Sequence, residues 1–467
     1  MSRALALDVS DGGLLGLAEG GAVLGPSPGI ALVQGGRPVF GDEARRRCRL
    51  SPRLVASDAW TRLDTEPLGP PFPEGLSRAD LVHAHLDSLW RKVRSETAEV
   101  VLAAPGVHGE EQLGRLLGIA QALRMPVSGV VDAAVAAATA GFPGERLLHV
   151  DVGLRHAAVT EIRQGREVVR ERVARIDRWG QDEVEDAEMR GAAAAFVREA
   201  RFDPLHDAAT EQALFDRLPG WLAALAREGR ATLSLPAAGR EAPAIELRRE
   251  EAEEWTAAYA SELAQQVSVL KRAGEPATVL VSAHAARLPG LVERIAAIRG
   301  VEIALLPVHA AAAGALRARD AVRQPAGALR FVTRLPRPEE PEGTVGGQAV
   351  IVPPRLQVTP VAASGRRPTH VLLGFEARAI TAEPLVLGTA PPEGSRGLRL
   401  SGETAGISRA HCRLVEAGGT VVLEDLSTWG TFVNGERVSG RAAVEAGDRI
   451  RVGSPGLELL LVAAAEG

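Results

Sequence analysis

The sequence predicts an α/β layered domain followed by an all-β sandwich, and three observations support this division. In the first two-thirds of the chain, apolar segments of strand length alternate with longer segments of helical character. Residues 335–368 are rich in proline and glycine and have no helical period. After Thr369, short alternating runs are separated by turn residues, as an all-β sandwich requires.

The first part is built from apolar runs and helical segments that follow one another along the chain. Strands are predicted at residues 3–10, 99–105, 147–153 and 278–283. Helices are predicted at residues 109–123, 131–141 and 249–274, the last two ending at glycines. We therefore expect domains at residues 1–320 and 369–467, joined by a linker at 321–368, in which residues 348–354 could add one strand to either neighbour.

Composition and charge exclude several classes of protein. The chain has 467 residues, of which 46% are hydrophobic and 24% charged, with a net charge of −5 and no basic or acidic block. We therefore expect no binding to nucleic acid, and no membrane insertion, because no apolar run reaches the roughly eighteen residues that a span requires. The two cysteines, Cys48 and Cys412, lie in different predicted domains, which favours a reduced, cytoplasmic protein without a structural disulfide.

The C-terminal part carries the most specific motifs. Residues 407–414 read ISRAHCRL, with Ser408 and His411 three positions apart, and residues 423–438 read LEDLSTWGTFVNGERV. AGDRIRVG follows at residues 446–453. The set, in this order and spacing, resembles the forkhead-associated (FHA) domain, a β-sandwich that binds phosphothreonine. The resemblance covers about residues 369–467.

The resemblance implies a phosphopeptide site, although two family positions are changed. The predicted site residues are Ser408, Arg409, His411, Thr428 and Asn434. The family's phosphate-binding arginine is replaced by Thr389, and the family's asparagine before Gly-Thr is replaced by Trp429. An arginine binds phosphate through two parallel charge-assisted hydrogen bonds, which a threonine cannot supply.

Two interpretations of this altered site stay open. Arg396, Arg399 and Arg409 are near enough in sequence to replace the missing arginine. Alternatively, Ser408 and His411 only hold a loop in place, and the domain binds its partner without phosphate.

Six segments of the first part, taken in order, resemble the nucleotide-binding domain of DnaK-type chaperones. They are residues 6–13, 41–63, 103–141, 149–159, 226–235 and 279–291. The resemblance runs from about residue 3 to residue 318 and implies an actin-like fold, which is ribonuclease H-like and two-lobed. It also implies nucleotide contacts at Asp8, Asp132, Asp151 and Gly153, with Asp132 at the position of the catalytic glutamate.

The phosphate loops of this first part depart from the family pattern. Ser10 and Asp11 replace a glycine and a threonine in the first loop, and Leu154, Arg155 and His156 replace Gly-Gly-Thr in the second. Phosphate loops need glycines because the backbone amides must approach the phosphate oxygens without a Cβ between them. A carboxylate at Asp11 would also repel a polyphosphate.

These changes favour a protein that binds partners and has no cofactor. We expect a cytoplasmic adaptor or scaffold in which a pseudo-ATPase platform is fused to a module that recruits a protein partner, either through phosphothreonine or without phosphate. The alternative is a divergent DnaK-like chaperone that binds and hydrolyses ATP with magnesium, held by Asp8, Asp132 and Asp151, and is regulated through its FHA domain. The sequence contains no Gly-x-Ser-x-Gly, His-Glu-x-x-His or Cys-x-x-Cys motif, so hydrolase, metalloprotease and thiol redox functions have no support.

Overall fold

The computed structural model consists of two compact units, Met1–Arg355 and Leu356–Gly467. It describes residues 3–235, 244–272, 275–325, 329–337, 350–352, 367–373, 376–392, 394–400, 406–428, 430–434, 436–438, 440–453 and 457–463.

The strands of the N-terminal unit form two large sheets and two small ones. They are β1 (Arg3–Asp8), β2 (Leu14–Ala18), β3 (Val23–Ser27), β4 (Ala31–Gln34), β5 (Arg37–Phe40), β6 (Val55–Ala56), β7 (Thr97–Ala104), β8 (Val127–Asp132), β9 (Arg146–Val152), β10 (Ala157–Gln164), β11 (Glu167–Ile176), β12 (Arg230–Ser234), β13 (Ala244–Arg248), β14 (Ala277–Val281), β15 (Val301–Leu305), β16 (Phe331–Val332), β17 (Arg334–Pro336) and β18 (Val350–Val352).

The helices of this unit cover the faces of the sheets. They are α1 (Gly41–Arg45), α2 (Ala59–Arg62), α3 (Arg78–Val93), α4 (Glu110–Ala122), α5 (Ala133–Ala138), α6 (Gln181–Ala200), α7 (Ala208–Glu228), α8 (Arg249–Leu270), α9 (Leu291–Ala296), α10 (Ala310–Arg317) and α11 (Arg319–Val322). Capping groups set several helix starts. Ser77 and Asp80 form a capping box at the start of α3, and the Asp132 side chain caps α5.

The two large sheets share one arrangement of strands. The first has the order β16-β8-β7-β1-β2-β3, and the second has the order β17-β11-β10-β9-β14-β15-β18. In each sheet, three consecutive strands form an antiparallel meander, which is β1-β2-β3 in the first sheet and β9-β10-β11 in the second. The first strand of each meander also pairs with two further strands that run parallel to it, β7 and β8 in the first sheet and β14 and β15 in the second. A mixed α/β unit is therefore confirmed. Because the same order occurs twice, β1 and β9 occupy equivalent central positions, and Asp8 and Asp151 lie at equivalent strand ends.

The N-terminal unit extends beyond the boundary that we predicted at residue 320. Strands β16 and β17 pair with β8 and β11, and β18 pairs with β15. These short strands lie in the proline- and glycine-rich stretch that we assigned to the linker. The pairing of β16 and β17 comes from the edges of the two sheets, because their own sequences have no clear strand pattern. The strand expected within residues 348–354 is β18.

The C-terminal unit has two facing sheets around one core. Its strands are β19 (His370–Leu373), β20 (Glu376–Ala379), β21 (Leu385–Gly388), β22 (Arg396–Arg399), β23 (Cys412–Ala417), β24 (Thr420–Asp425), β25 (Thr431–Val433), β26 (Glu436–Arg437), β27 (Arg441–Val444), β28 (Arg449–Val452) and β29 (Leu457–Val462). The sheet orders are β20-β19-β29-β28-β25-β26 and β22-β21-β23-β24-β27. Leu387, Leu414, Leu423, Ile450 and Leu461 are buried between them, which makes this unit a β-sandwich.

Two further sequence-based expectations concern the cysteines and membrane insertion. Cys48 and Cys412 are buried free thiols, and burial raises the pKa of each, to about 11 and about 12, so neither is a reactive thiolate at neutral pH. Among the helices that the structure describes, none combines the length and apolar composition needed to span a bilayer.

Candidate functional site

His411 joins two loops at one end of the sandwich. Its side chain is fully buried, and its Nδ1 accepts a hydrogen bond from the backbone amide of Ser408 at 3.1 Å. The proton therefore lies on Nε2, which donates to the carbonyl oxygen of Gly430 at 3.3 Å. Burial lowers the pKa of His411, which keeps the ring neutral and preserves this pattern. His411 thus positions the loops rather than facing a ligand.

Ser408 lies where three loops meet. Its carbonyl oxygen accepts a hydrogen bond from the amide of Thr389 at 3.1 Å, and its Oγ accepts one from the amide of Thr428 at 3.4 Å. The residue is half-buried, and no described group accepts its hydroxyl proton. That proton is available to a phosphate oxygen, as the sequence-based assignment of Ser408 requires.

Gly388, just before Thr389, must be a glycine because the loop of Arg409 passes directly over it. A Cβ added to Gly388 would lie 2.0 Å from the carbonyl oxygen of Arg409. The close approach holds Thr389 beside Ser408, although the arginine expected after this glycine is absent.

Arg399, Arg409 and Arg437 lie at the same end of the sandwich as Ser408. Strands β21 and β22 run parallel, which pairs Arg399 with Gly388. The guanidinium of Arg437 lies over Gly430, since a Cβ added there would be 2.6 Å from the Arg437 Nε. All three arginines are exposed, and none forms an ion pair or side-chain hydrogen bond within the described part of the chain. We call these three side chains the arginine cluster.

Other arginines of the sandwich are already engaged. Arg396, which we considered as a replacement for the missing arginine, donates to the carbonyl oxygens of Ala379 at 2.8 Å and Glu383 at 3.3 Å. It lies at the opposite end of β22 from Arg399 and cannot serve the Ser408 loop. Arg413 and Arg441 both pair with Glu424.

Two of the predicted ligand residues contact other parts of the domain, and the residue at one family position lies outside the described residues. The Asn434 amide donates to Asp448 Oδ1 at 2.7 Å and accepts from the amide of Arg449 at 2.9 Å. Asn434 therefore fixes its own turn, with φ of 50°, and both ends of its side chain are occupied. Thr428 is exposed and contributes its backbone amide to Ser408. Trp429 lies outside the described residues.

Arg437 was not among the residues predicted from the sequence, although a local signal for it exists. The Asn434-Gly435 sequence is typical of a two-residue hairpin turn, and in the structure β25 and β26 pair Phe432 with Arg437. A hairpin assigned at this Asn-Gly pair would have brought Arg437 back toward Gly430.

In the N-terminal unit, Asp8 and Asp151 face a very small space. The Asp8 Oδ1 accepts hydrogen bonds from the Ser10 amide at 3.0 Å and the Ser10 hydroxyl at 2.7 Å. Burial raises the pKa of Asp8 to about 6 against the effect of these bonds. The space lined by Asp8, Asp151 and His284 measures ≈ 40 Å³. One water needs about 10–15 Å³ of such space, so this space is small for a triphosphate.

The Asp11 carboxylate fills the place between the two predicted phosphate loops. Its Oδ1 accepts a hydrogen bond from the Leu154 amide at 3.0 Å, and its Oδ2 accepts one from the Thr61 hydroxyl at 2.6 Å. A Cβ added to Gly153 would lie 2.5 Å from both Asp11 Oδ1 and His156 Cε1. The surface above Gly153, which a phosphate would approach, is therefore covered by the protein's own side chains.

Asp132 is also occupied by local contacts. Its Oδ1 caps α5 by accepting from the amides of Ala134 at 2.9 Å and Val135 at 3.1 Å, and its Oδ2 accepts from Arg170 at 2.8 Å. Within the described ranges, no group of three or more His, Cys, Asp or Glu side chains is placed to hold a metal ion. Asp8 and Asp151 therefore line one small space, while Asp132 is engaged at the start of α5.

Residues 226–235, one of the six segments that resemble the DnaK-type domain, contain the end of a helix and a strand. Helix α7 ends at Glu228 because Gly229 takes a left-handed conformation, with φ of 76°. Residues Arg230–Ser234 then form β12, paired with β13.

Comparison with known proteins supports the C-terminal part of this description. No curated protein matches the chain. Residues 394–453 match the family model described as the FHA domain. This range contains Ser408, His411 and all three members of the arginine cluster. The C-terminal unit of this protein thus contains an FHA domain, a module that binds phosphorylated protein partners.

Proposed function

We propose that this protein is an adaptor whose FHA domain recruits a protein partner phosphorylated on threonine. The observation that carries the proposal is the arrangement of Ser408 with the arginine cluster. The Ser408 hydroxyl offers a hydrogen-bond donor, and the Arg399, Arg409 and Arg437 side chains offer positive charge that no described acidic side chain neutralises. A phosphothreonine carries nearly two negative charges and three strong acceptor oxygens at neutral pH.

Arginines supplied from other positions replace the missing family arginine in this proposal. Arg409 follows Ser408 directly, and Arg399 is paired with Gly388, next to the substituted Thr389. The contacts differ in origin from those of the family pattern, but their chemistry is the same, since guanidinium groups bind phosphate oxygens through charge-assisted hydrogen bonds.

For the N-terminal unit we propose an actin-like scaffold that works without nucleotide. The repeated order of its two sheets supports a duplicated ribonuclease H-like architecture. The Asp11 carboxylate at Leu154 and the ≈ 40 Å³ space beside Asp8 argue against a bound polyphosphate. In the alternative, an ATP-dependent DnaK-like chaperone, the Asp11 carboxylate would have to move and the space beside Asp8 would have to enlarge when a nucleotide binds.

A peptide array tests the recruitment function. Random peptides centred on phosphothreonine, and the same peptides with unmodified threonine, are probed with the full-length protein. We expect retention on phosphothreonine peptides only, and loss of that retention in the triple variant Arg399→Gln, Arg409→Gln, Arg437→Gln. Equal retention on modified and unmodified peptides would show a docking surface that does not use phosphate.

A further inference from the structure

One cavity of the N-terminal unit is mainly apolar and measures ≈ 650 Å³. It lies among α6, α7, α8 and the segment that leads into α9. Its apolar lining includes Val152, Val184, Phe215, Leu218, Leu222 and Leu288. This volume is in the range of sites that enclose small organic molecules, which is about 300–1,000 Å³.

One carboxyl group in the cavity wall has no partner. Glu188 of α6 is only 5% exposed, and no described residue gives its side chain a hydrogen bond or an ion pair. A buried carboxyl without a partner is costly unless it stays protonated or meets a cation. Burial, followed by repulsion from Glu185, raises the pKa of Glu188 to about 8.

The other charged groups around the cavity do not neutralise Glu188. Arg45 donates to both carboxylate oxygens of Glu185, at 3.1 and 2.7 Å, and its guanidinium lies 4.2 Å from the centre of the Phe215 ring. Arg287 is exposed and only partly offsets the shift of the Glu188 pKa. The remaining charged or titratable lining groups are Arg227, Arg249, Glu253, His284 and Glu293.

We propose that this cavity binds an organic cation, an apolar molecule with a primary amine or an amidine, whose charged end pairs with Glu188. The apolar walls favour the body of such a ligand, because burying apolar surface gains roughly 25 cal/mol per Å². The cavity wall already contains a contact of the same kind, because the cationic side chain of Arg45 lies between the Glu185 carboxylate and the Phe215 ring. The space beside Asp8 and Asp151 measures only ≈ 40 Å³, which disfavours the phosphates of a nucleotide.

Binding of a cation is coupled to loss of a proton. At neutral pH the Glu188 carboxyl is protonated, because its pKa is raised to about 8. A cationic ligand favours the carboxylate, so the proton leaves to solvent when the ion pair forms. The affinity for a cationic amine should therefore rise as pH increases from 7 through about 8, for as long as the amine stays protonated.

The experiment uses the full-length protein and three probes with one ring system: 1-naphthylmethylamine, 1-naphthalenemethanol and 1-naphthoic acid. Calorimetric titrations at pH 7, in two buffers of different ionisation enthalpy, measure affinity and proton release together. We expect the amine to bind about 10- to 100-fold more tightly than the alcohol, the range given by one charge-assisted contact. The acid should bind weakest, and close to one proton should be released with the amine.

Two variants complete the test. Glu188→Gln should remove both the preference for the amine and the proton release, while Glu254→Gln, an exposed position on α8 outside the cavity, should retain them. Equal binding of amine and alcohol to the wild-type protein would overturn the proposal. So would amine binding without proton release, or amine binding that Glu188→Gln leaves intact. The wild-type proton count gives a result even if the variant folds poorly.

Discussion

The Asp11 carboxylate and the backbone amide of Leu154 form a hydrogen bond of 3.0 Å across 143 positions of the chain. This bond connects the loop after β1 to the loop after β9, which are the two places where a DnaK-type domain would hold phosphate. The protein's own carboxylate therefore takes the acceptor role that a phosphate oxygen would have. We expect this contact to stabilise the unit and to disfavour nucleotide binding.

Removing this contact should destabilise the N-terminal unit. Asp11→Ala deletes the acceptor for the Leu154 amide and the Thr61 hydroxyl, both of which are buried with it. Hydrogen bonds to a charged group contribute about 1.5–3 kcal/mol each, so the urea midpoint should fall clearly. Glu74→Ala, an exposed position without a described partner, is the control. If both variants unfold at the wild-type urea concentration, the Asp11 bridge does not stabilise the unit.

ATP turnover should not exceed the buffer background. The positioning groups of the phosphate loops are absent, and catalysis of phosphoryl transfer depends on positioned electrostatic contacts. Phosphate release should therefore be unchanged in Asp8→Ala and Asp151→Ala. A steady release that disappears in either variant would establish the ATPase alternative and end the scaffold proposal.

The contribution of the Glu188 carboxyl to the stability of the N-terminal unit should fall as pH rises from about 4.5 to about 8. Glu188 has an ordinary pKa of 4.5 and a pKa of about 8 in the folded chain. Between these values the folded state holds one more proton than the unfolded state, so each increase in pH favours unfolding. Glu188→Gln cannot titrate and should lose this part of the slope.

The Glu188 contribution must be isolated by comparing variants, because burial also raises the pKa of Asp8 to about 6 and that of Asp182 to about 7, and lowers the pKa of His85 and His108. We therefore expect a reduced slope in Glu188→Gln rather than a flat profile, and an unchanged slope in Glu254→Gln. Urea unfolding at four pH values between 4.5 and 8.5 gives both slopes. Identical slopes in the wild type and Glu188→Gln would show that the Glu188 carboxyl is not buried in its neutral form.

Gly388→Ala should disturb the Ser408 loop. The added methyl group would meet the Arg409 carbonyl oxygen at 2.0 Å, so the backbone must move. Such overpacking costs about 1–3 kcal/mol and displaces Arg409 from Ser408. Gly165→Ala, where a Cβ meets open space, is the matched control. Unchanged stability and unchanged phosphopeptide affinity in Gly388→Ala would show that the loop adapts without loss.

Features that depend on local sequence were predicted closely. The run at residues 3–10 contains β1, and the helix expected from residue 249 begins at Arg249. Ser408 and His411 were identified because the motifs around them resemble the FHA pattern. The short strands β16 and β17 were assigned to a linker, because two or three residues show no period and gain their order from sheet edges.

Features that depend on long-range packing could not be read from the sequence. Arg399 reaches the Ser408 end through the parallel pairing of β21 and β22. Glu188 is one of several acidic residues along α6, and only the packing of α7 and α8 shows that it is buried without a partner. The Asn434 motif was visible, but its hydrogen bonds to Asp448 and Arg449 show that it fixes a turn.

The central claim is that Ser408 and the arginine cluster bind phosphothreonine. It is tested most directly by titrating one array-selected peptide, in phosphorylated and unmodified forms, into the full-length protein. The wild type should bind only the phosphorylated form, and Ser408→Ala should weaken it by about one to two decades, the loss of one charge-assisted contact. Ser395→Ala, an exposed serine in another turn, should bind as the wild type does. Thr389→Arg should bind more tightly. Equal affinity for both peptide forms, unchanged in Ser408→Ala, would contradict the account.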